Sequence, residues 1–243
     1  MRIRAVDIET TGLTPPDHTI CEVGWADLAE ANDHAGDWHI VHTGETFCSP
    51  GRPIPPEVSA IHHIVDEDCV GAPPWRQTIE QVCGLSGLFM MDAICAHNAR
   101  FERQWIGADI TGRVEWICSY KCALKLWPEA PSHSNQALRY WLKPEGLNRS
   151  IAAVSHRAMP DAYVTAYLLR EMLKQASVAD LIAWTKEPAI LPRFTFGMHI
   201  GKKYSDVDTS YLSWLLAKDF DEDVKHTARL ELSRRKQSAK GGA

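Results

Sequence analysis

The chain has 243 residues, of which 45% are hydrophobic and 23% charged, and a formal net charge of −5. That suits a globular protein of one large domain, or one domain plus a small appendage, and it offers no global attraction for a polyanion, so nucleic acid would have to be held locally, by a patch or by metal ions. No apolar run approaches the ~20 residues of a membrane span; the longest, LSGLFMMDAIC, is broken by Asp92.

RIRAVDIE alternates and is rich in β-branched residues, which predicts a strand ending near Glu9. TTGL supplies turn chemistry, and CEVGWADLA and WHIVHTGETFCSP predict two more strands, an opening three-strand meander. GRPIPPEVSAIHHI is a proline-rich loop leading into a short helix, with Pro55 and Pro56 placed for its start. WRQTIEQVCGLSGLF has helical spacing through Ile79, Val82, Leu85 and Leu88. DAICAHNARFERQWI predicts a short buried strand over 93–96, then a helix carrying Phe101, Trp105 and Ile106. VEWICSYKCALKLW is another strand running into a helix, and NQALRYWLKPEG a helix stopped by Pro144 and Gly146. MPDAYVTAYLLREMLKQA predicts an amphipathic helix with Pro160 in its first turn and Ala162, Ala166, Leu169 and Leu173 on one side. Strands first, then strand and helix in alternation, indicate an α/β fold with helices packed on a mixed sheet.

After about Ala176 the character changes. SVADLIAWTKEPAILPR is a helix and a proline-containing connector. FTFGMHIGKKYSDVDTSYLSWLLAK predicts a small hairpin turned near Gly201, then a helix that Asp208 or Thr209 would cap. The expected organisation is a main domain over 1–176, a connector over 177–193, a hairpin–helix module over 194–236 and a disordered tail over 237–243. The chain opens directly into a strand, and its seven cysteines have no regular spacing. Both features lead to an expected cytoplasmic location.

Asp7 and Glu9 sit two apart on a predicted strand, so their side chains leave one face. An acid among apolar neighbours is expensive to desolvate unless it is compensated. Either the strand is an exposed edge with solvated acids, or a cation waits at its end. Oxygen ligands would suit Mg²⁺ or Mn²⁺. AHNARFE places Glu102 just after a buried strand, where open α/β sheets bind their ligands. SHRAMPDAYVTA places His156 in a loop and Asp161 just inside the next helix, so a mobile imidazole can face the same cleft as an anchored carboxylate.

DIETTGL, HNARFE and HRAMPDA resemble, in order, the three exonuclease motifs of the DnaQ-like 3'–5' exonuclease superfamily in its histidine-containing DEDDh branch. IPPEVSAIHHIVDEDC is similar to the segment between the first two, and the resemblance covers roughly 3–175. It implies a ribonuclease H-like mixed sheet flanked by helices and a nuclease using two divalent cations, Mg²⁺ or Mn²⁺. Asp7 would bridge both ions, Glu9 and Asp161 would complete the first site, and Glu102 would hold the second. His156 would be the general base. Thr10, Thr11, Gly12 and Leu13 would contact the terminal nucleotide, Asn98 and Phe101 would shape its pocket, and His62 matches the family's usual histidine. There are two departures: Glu102 stands where the family usually has Asp, and His63, expected at the surface, where it often has glycine. FGMHIGKKYSDVDTSYLSWLL resembles the small module that follows the nuclease domain in exonuclease X-like proteins.

The implied partner is the 3' end of nucleic acid, with single-stranded DNA expected and RNA the alternative; a catalytically weakened binding relative is a third reading. Relatives also suggest a homodimer. Lys202, Lys203, Arg234, Arg235 and Lys236 could track a backbone or simply form a solvated basic face. Cys118 and Cys122 are the only close cysteine pair, which points to core packing rather than zinc. Trp105, Trp116, Trp127 and Trp141 also read as packing residues, and DFDED, 219–223, as a solvated acidic run.

Overall fold

The structure is a computed structural model, and it describes residues 1–31, 36–84, 87 and 91–241. In chain order come β1 (Arg2–Thr10), β2 (Ile20–Glu30), β3 (Trp38–Phe47), α1 (Pro56–His62), α2 (Trp75–Cys83) and β4 (Ala93–Ala96). They are followed by α3 (Ala108–Thr111), β5 (Glu115–Cys118), α4 (Ser119–Leu126), α5 (Asn135–Leu142), α6 (Ala158–Leu173), α7 (Val178–Lys186), α8 (Thr209–Leu216) and α9 (Glu222–Gly241). The strands form one sheet in the order β3-β2-β1-β4-β5. The opening meander is antiparallel, whereas β4 and β5 run parallel to β1. β1 is therefore interior, so its acids are not those of an exposed edge.

The period-two alternation of the strands divides the core. Ile3 and Ala5 of β1, Ala26 and Leu28 of β2, and Ala93 and Cys95 of β4 face the cluster built on α6. Val6, Ile8, Val23, Ile94 and Ala96 face the opposite cluster, with α2 and Trp105. Burial extends around most of α6, including Tyr163, Val164, Leu168 and Met172 as well as the stripe expected from periodicity. It is the central helix, covered by the sheet on one side and by α4 and α5 on others, so its pattern is less one-sided than a surface helix would show.

Several elements differ from expectation. The stretch after β4 is a turn followed by a short 3-10 helix, Glu102–Gln104, rather than an α-helix. Leu85 and Leu88 lie outside the described residues. α7 belongs to the main body, since Val178 and Leu181 are buried in its core. The expected hairpin has no strands: Phe194 exchanges backbone bonds with Lys202 and Gly201 within a looped segment. Residues 237–241, expected to be disordered, continue α9. Trp141 is partly exposed.

The C-terminal module packs its own core, including Phe194, Tyr204, Leu212 and Leu215, against Leu124 of α4. The acidic run helps dock it: Asp221 pairs with Arg100, and Asp223 with Lys121 at 3.1 Å. The basic stretch is also largely committed. Arg234 and Arg235 pair with Glu231, and Arg235 donates to the carbonyls of Tyr204, Ser205 and Val207. Lys202, Lys203 and Lys236 remain exposed. All seven cysteines are buried free thiols. Among the described residues no helix is long and apolar enough to cross a membrane.

Candidate active site

Asp7 and Glu9 continue the face of β1 that Ile3 and Ala5 bury under α6. Opposite them on β2 stand Gly24 and Glu22. A Cβ at Gly24 would lie 2.1 Å from the backbone nitrogen of Met159, so glycine is what lets the first turn of α6 settle onto the sheet. Glu22 ties down the same end. Its buried carboxylate accepts the Arg157 guanidinium, the shortest contact being 2.6 Å, and the Ala158 N–H at 2.9 Å. Asp161, in that first turn, is thereby carried over β1. Asp7, Glu9 and Asp161 each offer a carboxylate oxygen, all within 4.8 Å of one another.

Two further segments converge. Asn98 adopts a left-handed φ of 71° after β4, a conformation Asn tolerates better than most residues, and its carbonyl accepts the Phe101 N–H at 2.8 Å. Glu102 follows on the 3-10 turn, only 2% exposed, with Oε2 lacking any hydrogen-bond partner. Its carboxylate stands outside the three-acid triangle, but its charge reaches Asp7 and Glu9. The carboxylate of Asp161 is fixed from two sides: Oδ1 accepts Gln136 Nε2 at 2.9 Å, and Oδ2 accepts the His156 backbone N–H at 2.8 Å. Gln136 is itself held by Arg139, whose Nη1 donates to Gln136 Oε1 at 2.9 Å. His156 lies exposed on the loop before α6, at φ 58°.

Burial is the first cause of the site's abnormal acidity, and mutual repulsion the second. Asp7 is pushed well above the usual carboxylate range by desolvation, then by Glu9, Asp161 and Glu102. Glu9 rises to about 8, chiefly through desolvation, then through Asp161 and Glu22, with Arg157 opposing. Glu102 is raised to about 8 by desolvation. Asp161 is raised by desolvation, against the hydrogen bonds from Gln136 and His156. The nearby cation, Arg157, is engaged with Glu22. Clustered carboxylates with one orphaned buried oxygen form a hard, all-oxygen donor set, which fits Mg²⁺ or Mn²⁺.

The remaining expected residues divide. Thr10 Oγ1 donates to the Gly12 carbonyl at 2.6 Å, and Thr11 Oγ1 accepts the Thr19 N–H at 3.1 Å. A Cβ at Gly12 would meet the His18 ring at 2.3 Å. Leu13 is 75% exposed and offers a bare apolar surface. Asn98 is exposed, and half-buried Phe101 packs edge-on against Trp105 at 4.9 Å. His62 is the exception. It is buried, accepts the Ile64 N–H at 3.0 Å and has no surface to offer a nucleotide. Burial pushes its pKa down, against a backbone hydrogen bond with Thr10 of the first motif. His63, exposed, ends α1 at φ 63°, a position that suits glycine. Glu22, Arg157 and Gln136 were missed from sequence. An acid in a strand otherwise rich in apolar residues was the available signal for Glu22, while its place opposite Glu9 comes from the register.

The family model of exonucleases, RNase_T, matches residues 5–169. The chain belongs to the exonuclease family. Exodeoxyribonuclease 10 of Escherichia coli (strain K12) is 35% identical over 226 residues, covering 88% of this chain and 90% of that protein. The DNA polymerase III subunit epsilon of Treponema pallidum (strain Nichols) is 30% identical over 179 residues, or 70% of this chain and 75% of that one. A solved structure of Exonuclease X in complex with 5' overhanging duplex DNA is 29% identical with a TM-score of 0.57, over 75% of this chain and 99% of that one. Exonuclease I shares the fold at 16% identity and a TM-score of 0.53. The five-strand mixed sheet is thus that of the ribonuclease H-like exonucleases.

Proposed function

We propose that this exonuclease removes nucleotides from the 3' end of DNA, with single strands as its main substrate. The observation that carries the reading is the convergence of Asp7, Glu9 and Asp161 within 4.8 Å, beside the unpartnered oxygen of Glu102. The DNA preference is supported by the likeness to an exodeoxyribonuclease along most of both chains. Asp7, Glu9, Asp161 and Glu102 would hold two divalent cations, Mg²⁺ or Mn²⁺. When bound, such ions stabilise the charge on the attacking and leaving oxygens of a phosphodiester displacement.

The protein's own groups supply the rest. His156 takes the proton from the attacking water: an imidazole nitrogen can accept it, the residue is exposed, and the loop that bears it is hydrogen-bonded to Asp161. Gln136 and the His156 amide keep the Asp161 carboxylate from rotating. Exposed Leu13 packs on the terminal base, while Thr10, Thr11 and Gly12 shape the loop that presents it. Asn98 and Phe101 border the same pocket. The same reading gives a cytoplasmic repair enzyme whose 194–236 module is of the exonuclease X-like type, with a homodimer as a possible assembly.

Matched single-stranded DNA and RNA, labelled at the 5' end, test this in Mg²⁺ or Mn²⁺. A ladder shortening from the 3' end on DNA is expected. A ladder on RNA alone would move the substrate to RNA, and binding without any cleavage would make the chain a weakened relative.

A further inference from the structure

β1, β4 and β5 are parallel, so their carboxyl ends emerge along one margin of the sheet. The catalytic acids stand at the end of β1. Past the ends of the next two strands, β4 and β5, lies a second concavity of about 800 Å³. Neighbouring strands are ~4.8 Å apart, so the cavity borders the cleft. Its floor is the turn after β4, with Arg103 and Gln104, and the start of α4, with Tyr120. Its roof comes from the C-terminal module through Phe196 and Phe220, whose rings stack at 5.1 Å.

We propose that this groove binds the single-stranded part of the substrate beyond the scissile end, through its unstacked bases. The proposal rests on the exonuclease reading and adds a site built jointly by the nuclease domain and the module. The charges decide the mode of recognition. Asp221 and Asp223 are taken up by Arg100 and Lys121, and Glu222 by Arg229. Among the described residues Arg103 alone of the lining cations has no ion pair. A nearly neutral wall with one available cation has little to offer a run of phosphates. Half-buried aromatic rings offer a sequence-tolerant stacking platform of the kind single-strand proteins use. A duplex could not use it, because its bases already stack on one another.

The test is anisotropy binding by the full chain carrying Asp7→Ala, which prevents cutting, with 5'-fluorescein oligothymidylates of about 3 and about 12 nucleotides. Phe196→Ala is expected to weaken the longer strand roughly tenfold, equally at low and high salt. Arg103→Glu is expected to weaken it about as much at low salt, with the loss shrinking as salt screens it. The shorter strand reaches only the near edge of the groove and should lose less than half as much in each case, while the longer strand should change less than about twofold on Arg113→Glu, the same charge change at the opposite end of β5. Arg103 is exposed, so its variant still reads the groove if a phenylalanine change loosens the module. Equal losses on both lengths, or none on either, would mean the concavity is only a packing seam. If the unaltered chain cuts no strand, the exonuclease reading falls and this one with it. If cutting is intact, a negative binding result removes the groove alone.

Discussion

Asp7 is crowded by four other carboxylates, those of Glu9, Asp161, Glu102 and Glu22, in a desolvated cleft, and that crowding makes opposite demands on folding and on chemistry. Asp7→Ala is expected to cut nuclease activity by more than ~10², the scale of losing one preorganised electrostatic group. In metal-free buffer it should also stabilise the fold by about 1 kcal/mol, a melting shift of ~2–4 °C at this chain length. Activity assays and thermal unfolding in chelator check the two halves, and an active but destabilised variant would contradict both. Glu102 poses the reverse question. Shortening it to Asp withdraws the carboxylate by one carbon–carbon bond, ~1.5 Å, but the acid sits on a 3-10 turn that can shift more easily than a packed α-helix. Glu102→Asp should keep cleavage within about tenfold, whereas Glu102→Ala should lose ~10² or more; equal loss in both would show that the longer acid is required. The three acids that converge, Asp7, Glu9 and Asp161, were legible because each lies in a short motif, as was the place of Glu102 after β4. The residues that aim them were not. Glu22 faces Glu9 only through strand register, and Gln136 reaches Asp161 only once α5 has packed on α6.

At the scale of elements, the site depends on how closely α6 approaches β2. That approach is set by Gly24, where a methyl group would strike backbone atoms of Ala158 and Met159, which cannot swing aside. Gly24→Ala should therefore cost about 1–3 kcal/mol, the usual range for overpacking. It should also lower affinity for Mn²⁺, because Asp161 rides on the displaced turn. The melting shift produced by added Mn²⁺ is the measurement. A destabilised protein that gains as much from Mn²⁺ as the unaltered chain would uncouple the helix from the site. The strand meander and most helices were legible from period and punctuation. α9 was not, since its stretch was read only for its charge, and two further segments were not, for physical reasons. Phe101, Trp105 and Ile106 are helically spaced, but the segment that carries them begins with the left-handed Asn98 and runs as a turn and a 3-10 helix that buries Glu102. The 194–203 segment alternates like a hairpin, yet Phe194 is spent on an aromatic cluster with Tyr204, at 4.1 Å, rather than on a strand ladder.

For the molecule as a whole, the acids link stability, pH and metal. Glu9 and Glu102 hold their protons up to about pH 8 in the folded state, against about 4.5 for an ordinary glutamate. Between those values the folded chain binds more protons than the unfolded chain, so unfolding free energy falls as pH rises. The contribution is fully present below about 4.5 and lost by the time pH has passed about 8. A divalent cation held by these acids would reverse the trend, because it binds ionised carboxylates and protons compete with it. Mn²⁺ at about a hundred times its dissociation constant would add ~2.7 kcal/mol, and that gain should shrink as acid protonates the ligands. Melting temperatures at about pH 5.5 and about pH 8.5, each in chelator and in Mn²⁺, should show the metal-free protein weakening towards alkaline pH and the Mn²⁺ gain growing in the same direction. Calorimetry near neutral pH should also record protons released as Mn²⁺ binds. An Mn²⁺ gain that is equal at both pH values, with no proton release, would mean that the buried carboxylates are not what the ion is binding.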